Sequence, residues 1–315
     1  MSRALVTGVG GQDGGYLAEA LLADGVEVHA LVLDGDAVPH GVVGHVGDLG
    51  DVEATRALVR DLAPATVYNL AAISSVAQSW EQPDLVAHVN GTAAVGLLES
   101  AHRVGARVVQ ASSAEIFGEP VTSPQDESTP VRPLNPYGAA KAFAHLAVEV
   151  WRGRGLHASS MVLYNHESPR RPARFVTRKI TSTVAAIARG EADRLVLGNL
   201  DARRDWGWAP DYVDALVRAA RADEPDDYVV ATGVSHSVRD FVAAAFTRAG
   251  VHDWERLVEV DQALVRPADA TELVGDATRA RTRLGWSPSV TFDELVGRMV
   301  DADLGQEPAE TATDP

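Results

Sequence analysis

The chain has 315 residues, 46% apolar and 23% charged, which is enough for a packed core and excludes wholesale disorder. Acidic residues outnumber basic ones 44 to 28, a net charge of -16, so neither a nucleic-acid nor an anionic-membrane surface is expected. Cysteine is absent, which removes disulfides and thiolate metal sites, and no metal centre is expected.

The start, MSRALVTGVGG, has no signal-peptide core because Gly8, Gly10 and Gly11 interrupt it at once. No apolar run nears the ~20 residues that span a bilayer, so a cytoplasmic protein is expected. Residues 3–8, RALVTG, read as a strand, and 13–25 as a helix closed by Gly25. Residues 26–33 and 42–49 are a second and a short third strand. A helix over 51–64 stops at Pro64, and 65–72, ATVYNLAA, are the next strand. One long helix is expected over 84–105, then a strand over 106–113, a Pro-rich loop over 121–136, a helix from Tyr137 and a strand over 157–165.

This β-α alternation with Val-rich strands predicts a doubly wound parallel sheet of the Rossmann type. After Asn165 the rhythm changes to helices and short strands between Arg-, Pro- and Trp-rich loops. The expected division is a dinucleotide-binding core over 1–165 and a smaller, partly interleaved α/β substrate lobe over 166–304. The tail over 305–315 lacks apolar periodicity and reads as disordered.

VTGVGGQDG sets Gly8, Gly11 and Gly14 at G-x-x-G-x-x-G spacing between the first strand and the first helix. Small residues there let backbone approach a pyrophosphate at a helix start, so dinucleotide binding is expected. A carboxylate after the second strand would hold a 2′-hydroxyl, and an arginine there a 2′-phosphate. Asp34 follows HALVL with no arginine nearby, which favours NAD. Asp48, and the run from Asn69 to Ser74, follow the third and fourth strands on the carboxyl edge, where adenine and nicotinamide ribose would rest.

Tyr137 and Lys141 stand four apart on one helix face. A phenol titrating near ~10 needs a nearby cation to act as a base, which Lys141 and a nicotinamide ring would supply. Ser113 provides the hydroxyl such a pair uses. These three suffice for hydride transfer at a carbinol, so Glu115 exceeds the need. A carboxylate there can lift the acidic proton beside a C4 ketone and then protonate a departing C6 hydroxide. Return of the hydride to C6 completes a redox-neutral 4,6-dehydration. A 4-epimerase or 4-ketoreductase would not need Glu115, and a non-catalytic sensor of dinucleotide and nucleotide sugar would need none of the four.

GVGGQDGGYLAEALL, SSAEIFG, PYGAAK, NHESPRR, FVTRKI, GNLDARRDWG, DYVVATGVSHSVRDF and RARTRLGW, in that order, resemble the GDP-mannose 4,6-dehydratases, extended short-chain dehydrogenase/reductase enzymes. The resemblance runs from about Arg3 to Val300. It implies a lyase that converts GDP-mannose to GDP-4-keto-6-deoxymannose with a tightly bound, recycled NAD(P). By the resemblance Ser113 stands at the family's catalytic threonine. Glu115 is the C5 base and C6 acid, Tyr137 the C4 base and Lys141 its partner. Gly8, Gly10, Gly11, Gln12, Asp13, Asp48, Leu49, Leu70, Ala71, Ala72, Ser74, His166 and Arg171 would line the dinucleotide. Asn165, Lys179, Arg204 and Arg266 would hold the GDP half of the substrate.

The family's Arg-Arg-Ser-Ser loop, which reads the 2′-phosphate of NADP and reaches a neighbouring subunit of the tetramer, is replaced by the short LDGDAVPHG. NADP is implied by the family and NAD by this departure, and a homodimer is expected where the family forms a tetramer. Ala114 replaces a family serine, Trp208 a histidine and Asp269 a glutamate.

Overall fold

The structure, a computed structural model, describes residues 2–264 and 270–306. Its first layer is a seven-stranded parallel sheet in the order β10-β6-β5-β4-β1-β2-β3. The strands are β1 (Arg3–Thr7), β2 (Glu27–Val32), β3 (Val43–Val46), β4 (Thr66–Asn69), β5 (Arg107–Ala111), β6 (Ala158–Leu163) and β10 (Asp227–Val230). The Val-, Leu- and Ala-rich strands other than the exposed edge strand β3 bury both faces because helices cover both. The helices are α1 (Gln12–Ala23), α2 (Val52–Leu62), α5 (Ala93–Val104), α6 (Pro136–Arg152) and α8 (Ala209–Arg221). The doubly wound parallel sheet expected from the sequence is the architecture observed.

The long helix expected over 84–105 is present, as continuous helical backbone from Pro83 to Val104, but it carries a π-type turn. A short helix α3 (Val76–Glu81) precedes it, and α4 (Pro83–Ala87) runs through the π-type turn over His88–Thr92 directly into α5. The turn puts Asn90 in the interior, where its amide accepts from Ile73 N at 2.9 Å and donates to Ile73 O at 3.0 Å. Ordinary helical geometry would not hold this side chain against the loop after β4, which is a common use of such turns.

The strand expected over 157–165 also divides. β6 ends at Leu163, and after Tyr164 the chain enters β7 (Asn165–Glu167) in a different sheet, beside β9 (Arg203–Trp208). That four-stranded sheet adds β11 (Ser235–Ser237) and β13 (Glu272–Leu273) to β9. β8 (Leu195–Leu197) pairs with β12 (Val258–Val260). A second core around Trp206, Phe241 and Phe246 joins these strands to α7 (Val176–Ala188), α9 (Val238–Arg248) and α11 (Phe292–Leu304). α10 (Thr278–Leu284) packs on β10 and α8. Gly305, at φ +71°, closes α11, and residues 307–315 of the tail lie outside the described residues. Among the described residues no helix is long and apolar enough to cross a membrane.

Candidate active site

The turn after β1 is too tight for side chains. Gly8 sits at φ +75°, and a Cβ there would lie 2.8 Å from Ala71 N. A Cβ on Gly14 would lie 2.2 Å from Gly8 O. Gly11 is the N-cap of α1 and no side chain caps that helix, so its first N–H groups are not spent on a cap. A cavity of about 500 Å³ runs from this turn along the ends of β2 and β4. Gly8, Gly11, Gln12, Asp13, Gly14, Asp48, Leu49, Leu70, Ala71, Ala72, Ser74 and Arg171 line it. A backbone cradle that excludes a Cβ at Gly8 and Gly14, at an open helix start, fits the pyrophosphate of a dinucleotide.

Two residues fall elsewhere. Gly10 is exposed at the loop tip, outside the lining. Asp34 is exposed in the turn after β2, and the carboxylate on the cavity is Asp36. The turn carries the chain outward at Asp34 and Gly35, and Leu33 N donates to Asp36 Oδ2 at 3.2 Å on the way back. Counting residues past a strand cannot anticipate that excursion.

Deeper in, a row of buried polar side chains crosses the carboxyl ends of three strands. Thr7 Oγ1 donates to Asn69 Oδ1 at 2.7 Å, and Asn69 Nδ2 to Gln110 Oε1 at 2.8 Å. Gln110 Nε2 donates to Ala111 O at 3.0 Å, and Lys141 Nζ donates to the same carbonyl at 2.8 Å. The row fixes the edge against which Lys141 is anchored, and buried polar groups persist only when paired in this way.

Lys141 belongs to a second cavity, about 420 Å³, lined also by Ser113, Glu115, Tyr137, Asn165 and His166. β5 ends at Ala111, and a short turn over Ala114–Ile116 follows, with Glu115 N donating to Ser113 Oγ at 3.3 Å. α6 starts beside that turn and presents Tyr137 and Lys141 one turn apart. Glu115 Oε2 accepts from Asn135 Nδ2 at 2.8 Å. The structure thus brings Ser113, Glu115, Tyr137 and Lys141 into one chamber.

Burial pushes the Tyr137 phenol up to about 12; the Ser113 hydrogen bond pulls it down and the Glu115 charge adds to the rise. Burial depresses the Lys141 ammonium to about 8, against an upward pull from Asp13. The expected lowering of the phenol by its lysine is therefore overridden within the protein itself. Desolvation is the larger effect, and Lys141 spends a hydrogen bond on Ala111 O.

His166 Nδ1 donates to Tyr164 O at 2.7 Å, and its Nε2 lies 2.9 Å from Asp13 Oδ2. One ring nitrogen faces a carbonyl and the other a carboxylate, so both carry protons and the ring is an imidazolium. Burial opposes this charge, but Asp13 outweighs it and raises the His166 pKa; burial opposes the carboxylate too, and His166 holds Asp13 below its ordinary value. Gln12 Nε2 donates to His166 O at 3.1 Å and Ser168 Oγ to Gln12 Oε1 at 2.8 Å, which ties the start of α1 to β7. Arg171 pairs with buried Glu167 at 3.2 Å and stacks on Phe175 at 3.8 Å, on the wall shared by the two cavities.

A third cavity, about 240 Å³, opens beyond Asn165 and is lined by Lys179, Arg204, Trp206 and Gly198. Arg204 is buried and donates to Arg203 O and Ala270 O, so its guanidinium is held rigidly. Arg266 and Asp269 lie outside the described residues. One residue without an assigned role in the sequence lines all three cavities: Arg174. It stacks loosely on Phe175 at 5.0 Å and has no ion pair among the described residues. Its only sequence signal was the Arg-rich loop 170–174, which reads equally well as a solvated basic segment. Among the described residues no group of three or more His, Asp or Glu could hold a metal.

A parallel sheet with a glycine turn at β1, and a Ser-Tyr-Lys chamber between β5 and α6, define an extended short-chain dehydrogenase/reductase. The solved UDP-glucose 4-epimerase of Thermus thermophilus, in complex with NAD, superposes with a TM-score of 0.86 at 31% identity over 96% of this chain and 99% of its own. A Bacillus anthracis dTDP-glucose 4,6-dehydratase, at TM-score 0.82 and 18% identity, shares the fold. The model of the family described as GDP-mannose 4,6 dehydratase matches residues 5–299. GDP-mannose 4,6 dehydratase 1 of Arabidopsis thaliana is 44% identical over 96% of this chain and 89% of its own, and the human enzyme 40% over 96% and 91%. The chain belongs to the GDP-mannose 4,6-dehydratase family. It is a nucleotide-sugar 4,6-dehydratase, a hydro-lyase that works with a nicotinamide cofactor.

Proposed function

We propose that the substrate is GDP-mannose and that Ser113, Glu115, Tyr137 and Lys141 carry the reaction to GDP-4-keto-6-deoxymannose. The observation that supports this most directly is Glu115 in one chamber with Ser113, Tyr137 and Lys141, adjoining the glycine-loop cavity. A nicotinamide dinucleotide held by Gly8, Gly11, Gly14 and Asp48 supplies reversible acceptance of one hydride. Tyr137 takes the O4 proton, with Ser113 and Lys141 fixing the phenol. Once C4 is a carbonyl the C5 hydrogen is acidic, and Glu115 removes it. The same carboxyl then protonates O6 as the C6–O bond breaks, and one water leaves. C6 gains the hydride lost from C4 and C5 regains a proton, so the hexose loses H₂O with no net redox change.

The GDP half is assigned to the third cavity, where Lys179, Arg204 and Asn165 serve an anion and a base, with Arg174 at the neck. Fixed guanidinium and ammonium donors suit a diphosphate. This keeps the division into a dinucleotide core over 1–165 and a nucleotide-sugar lobe over 166–304 as part of the same reading. NAD is the proposed cofactor, because Asp36 lines the cavity beyond β2 and residues 33–49 contain no Arg or Lys to hold a 2′-phosphate. A homodimer is proposed through α6, whose Phe143, Leu146 and Val150 are 53%, 47% and 65% exposed on one side of the helix. Leu146→Arg should then give a monomer in sedimentation.

The test is mass analysis of product from GDP-mannose, with the cofactor released by denaturation identified as NAD. Loss of one water is expected, with Glu115→Gln and Tyr137→Phe each slowing it about 10³-fold. Full turnover by Glu115→Gln overturns the assignment of the acid. C4 inversion without water loss would make the chain an epimerase.

A further inference from the structure

Asn135 does two jobs with one amide. Its Oδ1 accepts from Gly138 N at 2.8 Å, which caps α6, and its Nδ2 donates to Glu115 Oε2 at 2.8 Å. Both ends of the amide are engaged, so its orientation is fixed, and the residue is 6% exposed. The contact is reinforced by backbone: a Cβ on Gly138 would lie 2.5 Å from Glu115 O, so only glycine lets the first turn of α6 close on the Ala114–Ile116 turn. Glu115 Oε1 takes no protein hydrogen bond among the described residues, so one oxygen is tethered and the other is left for proton transfer.

Capping alone does not select asparagine. Aspartate and serine cap a helix comparably. Aspartate cannot donate to a carboxylate, however, and serine is a bond shorter in reach. The side chain that can cap Gly138 and also donate to Glu115 Oε2 is the one present.

We propose that Asn135 is a positioning residue for the dehydration half of the reaction: it aims Glu115 at C5 and C6 and has no part in the chemistry at C4. This rests on the reading of Glu115 given above. Tyr137 and Lys141 depend on Asn135 only through the cap of α6, which aspartate and serine can supply, so a capping substitution separates the two halves of the reaction. Misplacing a general base by about 1 Å costs on the order of a hundredfold.

The experiment compares two substrates on the full-length enzyme. GDP-mannose reports the complete dehydration. GDP-6-deoxymannose, which has no C6 hydroxyl to lose, reports only C4 oxidation, in which a proton leaves O4 and a hydride reduces the bound nicotinamide, read by absorbance. Asn135→Asp keeps the cap and sets a carboxylate oxygen against Glu115. Water loss should fall about a hundredfold, C4 oxidation should stay within about twofold, and the thermal midpoint should be retained. Asn135→Ser, neutral and capping, should lower water loss about tenfold with the same selectivity. Equal losses in both assays mean a merely structural role, and no loss in either means that Glu115 is aimed without Asn135; each overturns the proposal. Glu115→Gln run alongside separates this from failure of the parent reading, which would appear as undiminished water loss in that variant.

Discussion

Backbone walls the glycine-loop cavity at Gly8, Gly11 and Gly14, whereas long side chains wall the cavity around Lys179, Arg204 and Arg174. The first holds its shape through Gly8 and Gly14, which tolerate no added atom, and Gly11, where a Cβ would sit tightly at 3.3 Å from Gly8 O. The second holds its shape through guanidinium groups, one locked onto backbone carbonyls and one carrying no ion pair among the described residues. A site made of backbone is unforgiving and general, suited to a ligand that stays. One made of cationic side chains is tunable, as the proposed choice of substrate there requires.

The sharpest way to break this contrast is Gly14→Ala. The new methyl must displace Gly8 O, an overpacking of ~1–3 kcal/mol placed directly on the phosphate turn. We expect the purified variant to have lost its dinucleotide, as read by cofactor content after denaturation. Wild-type cofactor content would show that the backbone wall yields. Arg174→Ala comes next. Removing one charge-assisted contact costs ~1.5–3 kcal/mol, so KM for GDP-mannose should rise about tenfold or more while cofactor content is unchanged. An unchanged KM would return Arg174 to the solvated loop.

The smallest effect is a pH dependence. His166 binds its proton more tightly folded than unfolded, so its pair with Asp13 contributes fully below the ordinary histidine value of 6.5 and fades as pH rises through the raised value. On the acid side the contribution is present above the ordinary aspartate value of 3.8 and is lost as pH falls through the lowered one. The stability gap between wild type and His166→Asn, read by denaturant unfolding, should be on the order of 1 kcal/mol at pH 6 and shrink toward pH 9. A gap that widens with pH would mean the ring is neutral.

The same contrast governs what could be read from the sequence. The glycine turn, Ser113, Glu115, Tyr137 and Lys141 were legible because each pair is close in the chain, on a single strand-turn-helix unit. Gly8, Gly11 and Gly14 carry their geometry in their spacing. The sequence points to Asp34 as the carboxylate after β2 and leaves Asp36 on the cavity unassigned, because a turn's excursion is set by φ and ψ and leaves no composition signal. Asn135 carried no assigned role in the sequence, since its partner Glu115 stands 20 residues away. Arg174 was hidden because its neighbours come from α7, β8 and β9. The switch of sheet at Tyr164 depends on β9, which is made 40 residues later, and no local pattern announces a partner at that distance.

The grip of Ser168 on Gln12 spans 156 residues of chain, and the outermost strand beside β6 is not made until Val230. Ribosomes deliver the glycine turn first, and β2, β4 and Ala71 close on it early, yet the start of α1 is tied down at Gln12 only when the latter half emerges. A nascent chain halted after Asn165 would show one bare flank of β6 and an untethered α1. Such long-range closure slows maturation and invites misassembly. Truncation from the C-terminal side should therefore damage the part of the molecule that is written earliest.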